Sequence, residues 1–163
     1  MEKGKQPKET DDIKRKLESF AALQRKIDNA IGRLESLTLT MGSPSTPNLT
    51  GLPSGGGDGT SKTERQVIRK LELEDKIRHM EQDERKLRRE LEELIDRMEK
   101  PDEQTVIQMR YLDGSRWWPI CAALYSNEAD YAEKADKYLK RTFKLHGSAL
   151  QTLARLDRAE TTA

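Results

Sequence analysis

Apolar residues in the first part of the chain recur at Ile13, Leu17, Phe20, Ile27, Ile31 and Leu34, in alternating steps of four and three, with Gln24 in the slot between Phe20 and Ile27. That is the rhythm of a heptad seam, and it predicts a long helix in the region 1–37 with one apolar stripe. The same rhythm resumes at Leu73, Ile77, Met80, Leu87, Leu91, Leu94 and Met98, with Glu84 in the single polar slot. It predicts a second helix from about Lys62 to Glu99 that stops before Pro101, since proline cannot continue the hydrogen-bonding pattern. Between the two seams, Thr38 to Ser61 holds Pro44, Pro47, Pro53 and the run Gly55, Gly56, Gly57. Helix and strand are both disfavoured there, and the segment reads as a flexible linker over 38–61.

The two seams can be laid antiparallel with Ile31 against Ile77, Phe20 against Leu87 and Leu17 against Leu91, and in that register Gln24 meets Glu84. A shared polar layer fixes register in coiled coils, and the linker is long enough to close the hairpin. Parallel self-association through either helix is the alternative, giving a homodimer through the coiled coil. The charges interleaved along these helices, among them Arg85, Lys86, Arg88, Arg89, Glu90, Glu92 and Glu93, alternate in sign. They read as a solvated outer face.

Beyond Pro101 aromatic residues appear and the helical patterns shorten, which places a domain boundary near Lys100 and a separate unit over 101–158, with a tail at 159–163. Asp102 and Glu103 favour a helix start, Val106, Ile107 and Met109 supply apolar faces, and Gly114 is placed to end the helix in a left-handed turn. The first short helix is thus expected over about Glu103 to Leu112. Ser115 is the candidate N-cap of a second, carrying Trp117, Trp118, Ile120, Cys121 and Leu124, with Pro119 tolerated in the first turn. A long final helix follows, apolar at Tyr131, Ala135, Tyr138, Leu145, Ala149, Leu153 and Leu156, with Gly147 as its weak point.

On that final helix Lys137, Lys140, Arg141, Lys144 and Ser148 fall within one arc, opposite Tyr138, Leu145 and Ala149. Such a face is either solvated or built to meet phosphate, with Ser148 or Gln151 close to a backbone or base. Composition narrows the choice of function. The 163 residues are 34% hydrophobic, 5% aromatic and 36% charged, a balance of exposed helices that leaves little core to wall off a reaction pocket. Lys and Arg number 30 against 29 acidic residues, so any attraction to nucleic acid is local rather than global. The single Cys121 excludes an intrachain disulfide, and His79 and His146 lack clustered partners, so no metal or other cofactor is expected. No carboxylate pair sits in an apolar cleft, and the glycines at 55–59 follow no strand, so the chain reads as non-enzymatic. The N-terminus has no apolar run and no segment approaches a membrane span; a cytoplasmic location is the expectation. Trp117 and Trp118 point about 100 degrees apart on a helix, so one is expected to pack and the other to stay partly exposed.

Three strings carry a resemblance. EQTVIQMRYLDG (Glu103 to Gly114), SRWWPICAAL (Ser115 to Leu124) and YLKRTFKLHGSALQTLARL (Tyr138 to Leu156) resemble, in that order, the successive helices of region 4 of the sigma-70 family. The likeness is greatest to small phage and prophage proteins of Gram-positive bacteria related to the ArpU and RinA type of late-gene regulators. It implies an all-α fold, an N-terminal antiparallel coiled-coil hairpin followed by a sigma region 4-like helix-turn-helix. It also implies DNA-binding transcription regulation in a bacterial host cell, double-stranded DNA and RNA polymerase as partners, and Lys140, Arg141 and Lys144 as DNA contacts. The chain departs from the family in the Tyr125 to Asp136 connection, which is longer than the tight turn that sets the family's helix angle. Two other functions stand beside this one. A small terminase-like DNA-packaging protein would also join a helix-turn-helix to coiled coil, and a coiled-coil scaffold would leave the basic face solvated and bind no DNA.

Overall fold

The computed structural model describes residues 8–42 and 61–163, and every regular element among them is helical. The elements are α1 (Asp11–Gly42), α2 (Lys62–Asp96), α3 (Pro101–Ile107), α4 (Trp117–Tyr125) and α5 (Ala135–Thr161). A π-helical turn, Gln108–Leu112, continues α3. The chain forms two compact units, one of Met1–Ala22 with Glu84–Ala163 and the other of Leu23–Asp83.

Several boundaries differ from the sequence pattern for identifiable reasons. α1 runs on through Gly42, so Thr38 to Gly42 are helical rather than linker. Thr38 and Thr40 meet the helix by donating their hydroxyls to the carbonyls of Leu34 and Ser36, four residues back. The remainder of the expected linker, 43–60, lies outside the described residues. α2 starts at Lys62 as expected, behind a capping box: the Glu64 N–H donates to Ser61 Oγ and the Ser61 N–H to Glu64 Oε2, both at 3.1 Å. It ends at Asp96, short of Glu99, and the Gln104 side-chain amide closes its last turn by donating to the carbonyls of Ile95 and Met98. α3 begins at Pro101 rather than Glu103, since the fixed φ of proline suits the first helical position and its missing N–H is not needed there. α5 reaches Thr161, into the expected tail.

In the larger unit, Ile13, Leu17 and Phe20 of α1 share one core with Leu91, Leu94 and Ile95 of α2 and with Leu150 and Leu153 of α5. The boundary placed near Lys100 therefore marks no break in packing. The first turns of α1 and the last turns of α2 complete the core of α3 and α5. Ion pairs add to the same junction: Lys16 Nζ donates to Asp157 Oδ1 at 3.1 Å, Arg97 pairs with Glu160, and Arg158 pairs with Glu9. The last two are exposed and contribute little each. The apolar seam does most of the holding. In the smaller unit Ile27, Ala30 and Ile77 are buried, while Ile31, Leu34, Leu73 and Met80 are half-buried.

The turn between α3 and α4 is where Gly114 acts. Its φ is +67°, the left-handed region predicted for it, and the Ser115 N–H reaches back to the Met109 carbonyl at 2.8 Å. Nothing lies within 4 Å of a Cβ built there, so a side chain would meet no neighbour and the cost of adding one is backbone strain. Gly114→Ala is expected to lower stability by about 1–2 kcal/mol, read as a lower midpoint of urea unfolding with an unchanged slope. The N-cap of α4 is Arg116, not Ser115, and it forms no side-chain cap.

Candidate nucleic-acid interface

α5 positions the candidate residues. Tyr138, Thr142, Ala149 and Leu153 turn inward and are buried, while Lys137, Lys140, Arg141 and Lys144 are exposed. The periodicity of one helix is enough to put these four cations on one side. Among the described residues none of the four takes part in an ion pair; Arg141 instead rests its guanidinium over the Tyr138 ring, 5.6 Å from the centroid. The long helices behave differently: Arg88 pairs with Glu84 at 3.1 Å and with Glu92 at 3.5 Å, and Lys70 pairs with Glu74 at 3.9 Å. Their charges are met within one or two turns. Lys137, Lys140, Arg141 and Lys144 are left to solvent or to a ligand.

Ser148, the fifth residue on the arc, has a different setting. Its hydroxyl donates to Glu103 Oε1 at 2.6 Å, so it ties α5 to the first turn of α3. Glu103 is 1% exposed, with Lys100 Nζ 3.8 Å from the same oxygen, and its Oε2 has no hydrogen-bond partner among the described residues. The hydroxyl that the sequence pattern reserves for DNA is thus engaged inside the protein.

The segment between α4 and α5 is held by tyrosines. The Tyr138 hydroxyl donates to Asp130 Oδ1, Lys134 pairs with Asp130 at 3.0 Å, and the rings of Tyr125 and Tyr131 lie 5.1 and 5.8 Å from that of Tyr138. The hydrogen bonds from Tyr138 and then Lys134 hold Asp130 below its ordinary value. The bond to Asp130, followed by burial, pushes Tyr138 up to about 12. Both effects keep an ionised acceptor facing a protonated donor. The start of α5 is thereby fixed to the connection before it.

A second aromatic cluster joins the middle of α5 to α4 and to the π-helical turn that follows α3. Trp117 is half-buried and meets Phe143 and His146 edge to face, at 5.0 and 4.9 Å, while Trp118 remains 48% exposed. One tryptophan packs and the other does not, as their 100-degree separation requires. Arg110 stacks its guanidinium 4.6 Å from the Trp117 centroid and donates to the Ser115 carbonyl at 3.1 Å, bracing the turn. His146 Nε2 and the Tyr111 hydroxyl are 2.9 Å apart.

Burial first, then the charges of Lys14 and Arg110, pushes His146 down to about 4. The folded chain holds it neutral, whereas the unfolded imidazole takes up a proton near its ordinary value of 6.5. Between about pH 6.5 and 4 the unfolded state binds more protons. The His146 contribution is therefore complete above this window and is lost as pH falls through it. His146→Gln removes that component, so the wild-type melting temperature should fall more steeply than the variant's over this range, by roughly a few degrees. Parallel melting curves would show that His146 does not titrate this way.

Arg110, Gln104 and Phe143 carry no weight in the sequence pattern, and Glu103 enters it only as a helix-start residue. A signal for Arg110 lay in its position five residues before Ser115, across the glycine turn; the roles of the others depend on contacts between helices. Among the described residues no three His, Cys, Asp or Glu side chains converge as metal ligands, and no helix is long and apolar enough to cross a membrane. Cys121 is buried.

A family model described as a protein of unknown function (DUF1492) matches residues 58–141, just over half of the chain. The match runs through α2, α3 and α4 into α5, taking in Lys137, Lys140 and Arg141 but not Lys144 or Ser148. No curated protein and no solved structure matches the chain.

Proposed function

The chain belongs to the DUF1492 family, and we propose that it is a phage-type DNA-binding regulator of transcription that lays the outer face of α5 against duplex DNA. The observation that carries this reading is the set of four exposed cations on one face of α5 that make no ion pair among the described residues. In this reading α4 and α5 are the two helices of a sigma region 4-like helix-turn-helix, and residues 126–134 replace its tight turn with a segment fixed by Tyr138 and Asp130. Resemblance to sigma region 4 supports RNA polymerase as a second partner. The antiparallel coiled-coil hairpin of α1 and α2 belongs to the same reading and supplies contacts to a partner or a second copy. Lys140, Arg141 and Lys144 are the principal phosphate contacts, with Lys137 at the edge. Chemistry on a substrate has no part in it.

Selection from fragmented DNA of the source genome, read by sequencing, tests the proposal and finds the target together. Recurrent enrichment of a few short sites supports a regulator. Enrichment that tracks fragment length alone, or none at all, contradicts it.

A further inference from the structure

Phe143 lies outside the residues that the pattern of charges selects on α5. Its ring is 44% exposed on a helix whose outward face is otherwise cationic. Lys140 precedes it by three positions and Gly147 follows by four, so these residues are neighbours on the helix surface. Lys144 lies beside them.

Two observations give this spot a purpose beyond packing. The exposed ring is held: Trp117 meets it edge to face at 5.0 Å and 79°, and Trp117 is itself braced by Arg110. A fixed ring presents one apolar surface to solvent, with little side-chain freedom left to lose on contact. Gly147, in turn, is exposed in mid-helix, and a Cβ built there meets nothing within 4 Å. The fold does not require glycine at 147, although glycine weakens a helix relative to alanine. A bare stretch of backbone beside Phe143 lets something outside the chain come close.

The adjoining cations select a polyanion, and on the base edges of the major groove the one apolar group is the thymine methyl. Resting on the DNA-binding reading above, we infer that Phe143, with the bare backbone of Gly147 beside it, contacts a thymine methyl and gives the protein a thymine preference at one position of its site. Phe143 is then a specificity-determining residue, while the lysines position the helix on phosphate.

The full chain and its Phe143→Ala, Phe143→Leu and Gly147→Ala variants are compared by selection from a randomised duplex library. Fluorescent copies of the wild-type consensus are then titrated with thymines replaced one at a time by deoxyuridine, which lacks only the methyl. Wild type is expected to bind roughly three- to tenfold more weakly when one particular thymine is replaced. Phe143→Ala binds both duplexes alike, and Phe143→Leu keeps part of the preference because it keeps apolar bulk. Gly147→Ala melts no lower than wild type and binds the consensus several-fold more weakly. Wild-type binding without a thymine effect, or a thymine effect that survives in Phe143→Ala, overturns the inference and leaves DNA binding standing. Failure of the wild type to enrich any duplex overturns the inference together with the reading on which it rests.

Discussion

Replacing Lys140, Arg141 and Lys144 together by Ala is expected to weaken duplex binding roughly a hundredfold near 0.15 M salt, with helicity unchanged. The magnitude follows from counterion release: each phosphate contact contributes about 0.9 to the slope of log affinity against log salt, so three lost contacts remove about 2.7. Helicity survives because all three side chains are exposed and alanine is the better helix former. Arg141 gives up its place over the Tyr138 ring, but the Tyr138 hydroxyl keeps Asp130 and its ring keeps Tyr125. The start of α5 therefore stays where it is. Circular dichroism checks the fold and fluorescence anisotropy the affinity. Equal binding by the triple variant would remove these residues from the interface.

Phe20→Ala is expected to have the largest effect on stability, a loss of about 3–5 kcal/mol. The ring is fully buried among Leu17, Leu91 and Leu94, and the guanidinium of Arg88 lies 5.2 Å from its centroid. Truncation leaves a cavity, and Arg88 loses the ring beneath it. A domain of this size is commonly stable by only about 5–15 kcal/mol, so the variant sits near the edge of folding. The consequence reaches beyond α1. Because Ala149, Leu150 and Leu153 of α5 share this core, the helix bearing the cations loses support from a substitution far from it in sequence. Urea unfolding followed by helicity and by tryptophan fluorescence should shift together, since Trp117 and Trp118 belong to the same unit. A fluorescence transition unmoved by Phe20→Ala would mean that α3, α4 and α5 fold without α1.

The helical class and the inward seams were legible because period is a local property. Ile13, Leu17, Phe20, Leu91 and Leu94 all lie on the face that the steps of four and three assign to the interior, and all are buried. Gly114 was legible for a similar reason, since a left-handed residue at a helix end has one favoured side chain. Contacts distant in sequence were not. Nothing local in Ile13 or Leu17 says that they meet Leu153, so a change of composition at Pro101 looks like a boundary where the core is continuous. The π-helical turn at Gln108–Leu112 likewise has no compositional signature. Of the candidate residues, four follow from helix geometry alone. Ser148 shows the limit of that geometry: it shares their arc, yet its hydroxyl serves Glu103, and only the packing of α3 on α5 brings the two together.

Equilibrium titration of the full chain with a short fluorescent duplex at a series of salt concentrations tests most directly whether the cations of α5 meet phosphate. Engagement of Lys137, Lys140, Arg141 and Lys144 predicts a straight line of log affinity against log salt with a slope of about −3.6. Absence of binding at about 50 mM salt, or an affinity indifferent to salt, would contradict it and leave α5 a solvated helix on a coiled-coil scaffold.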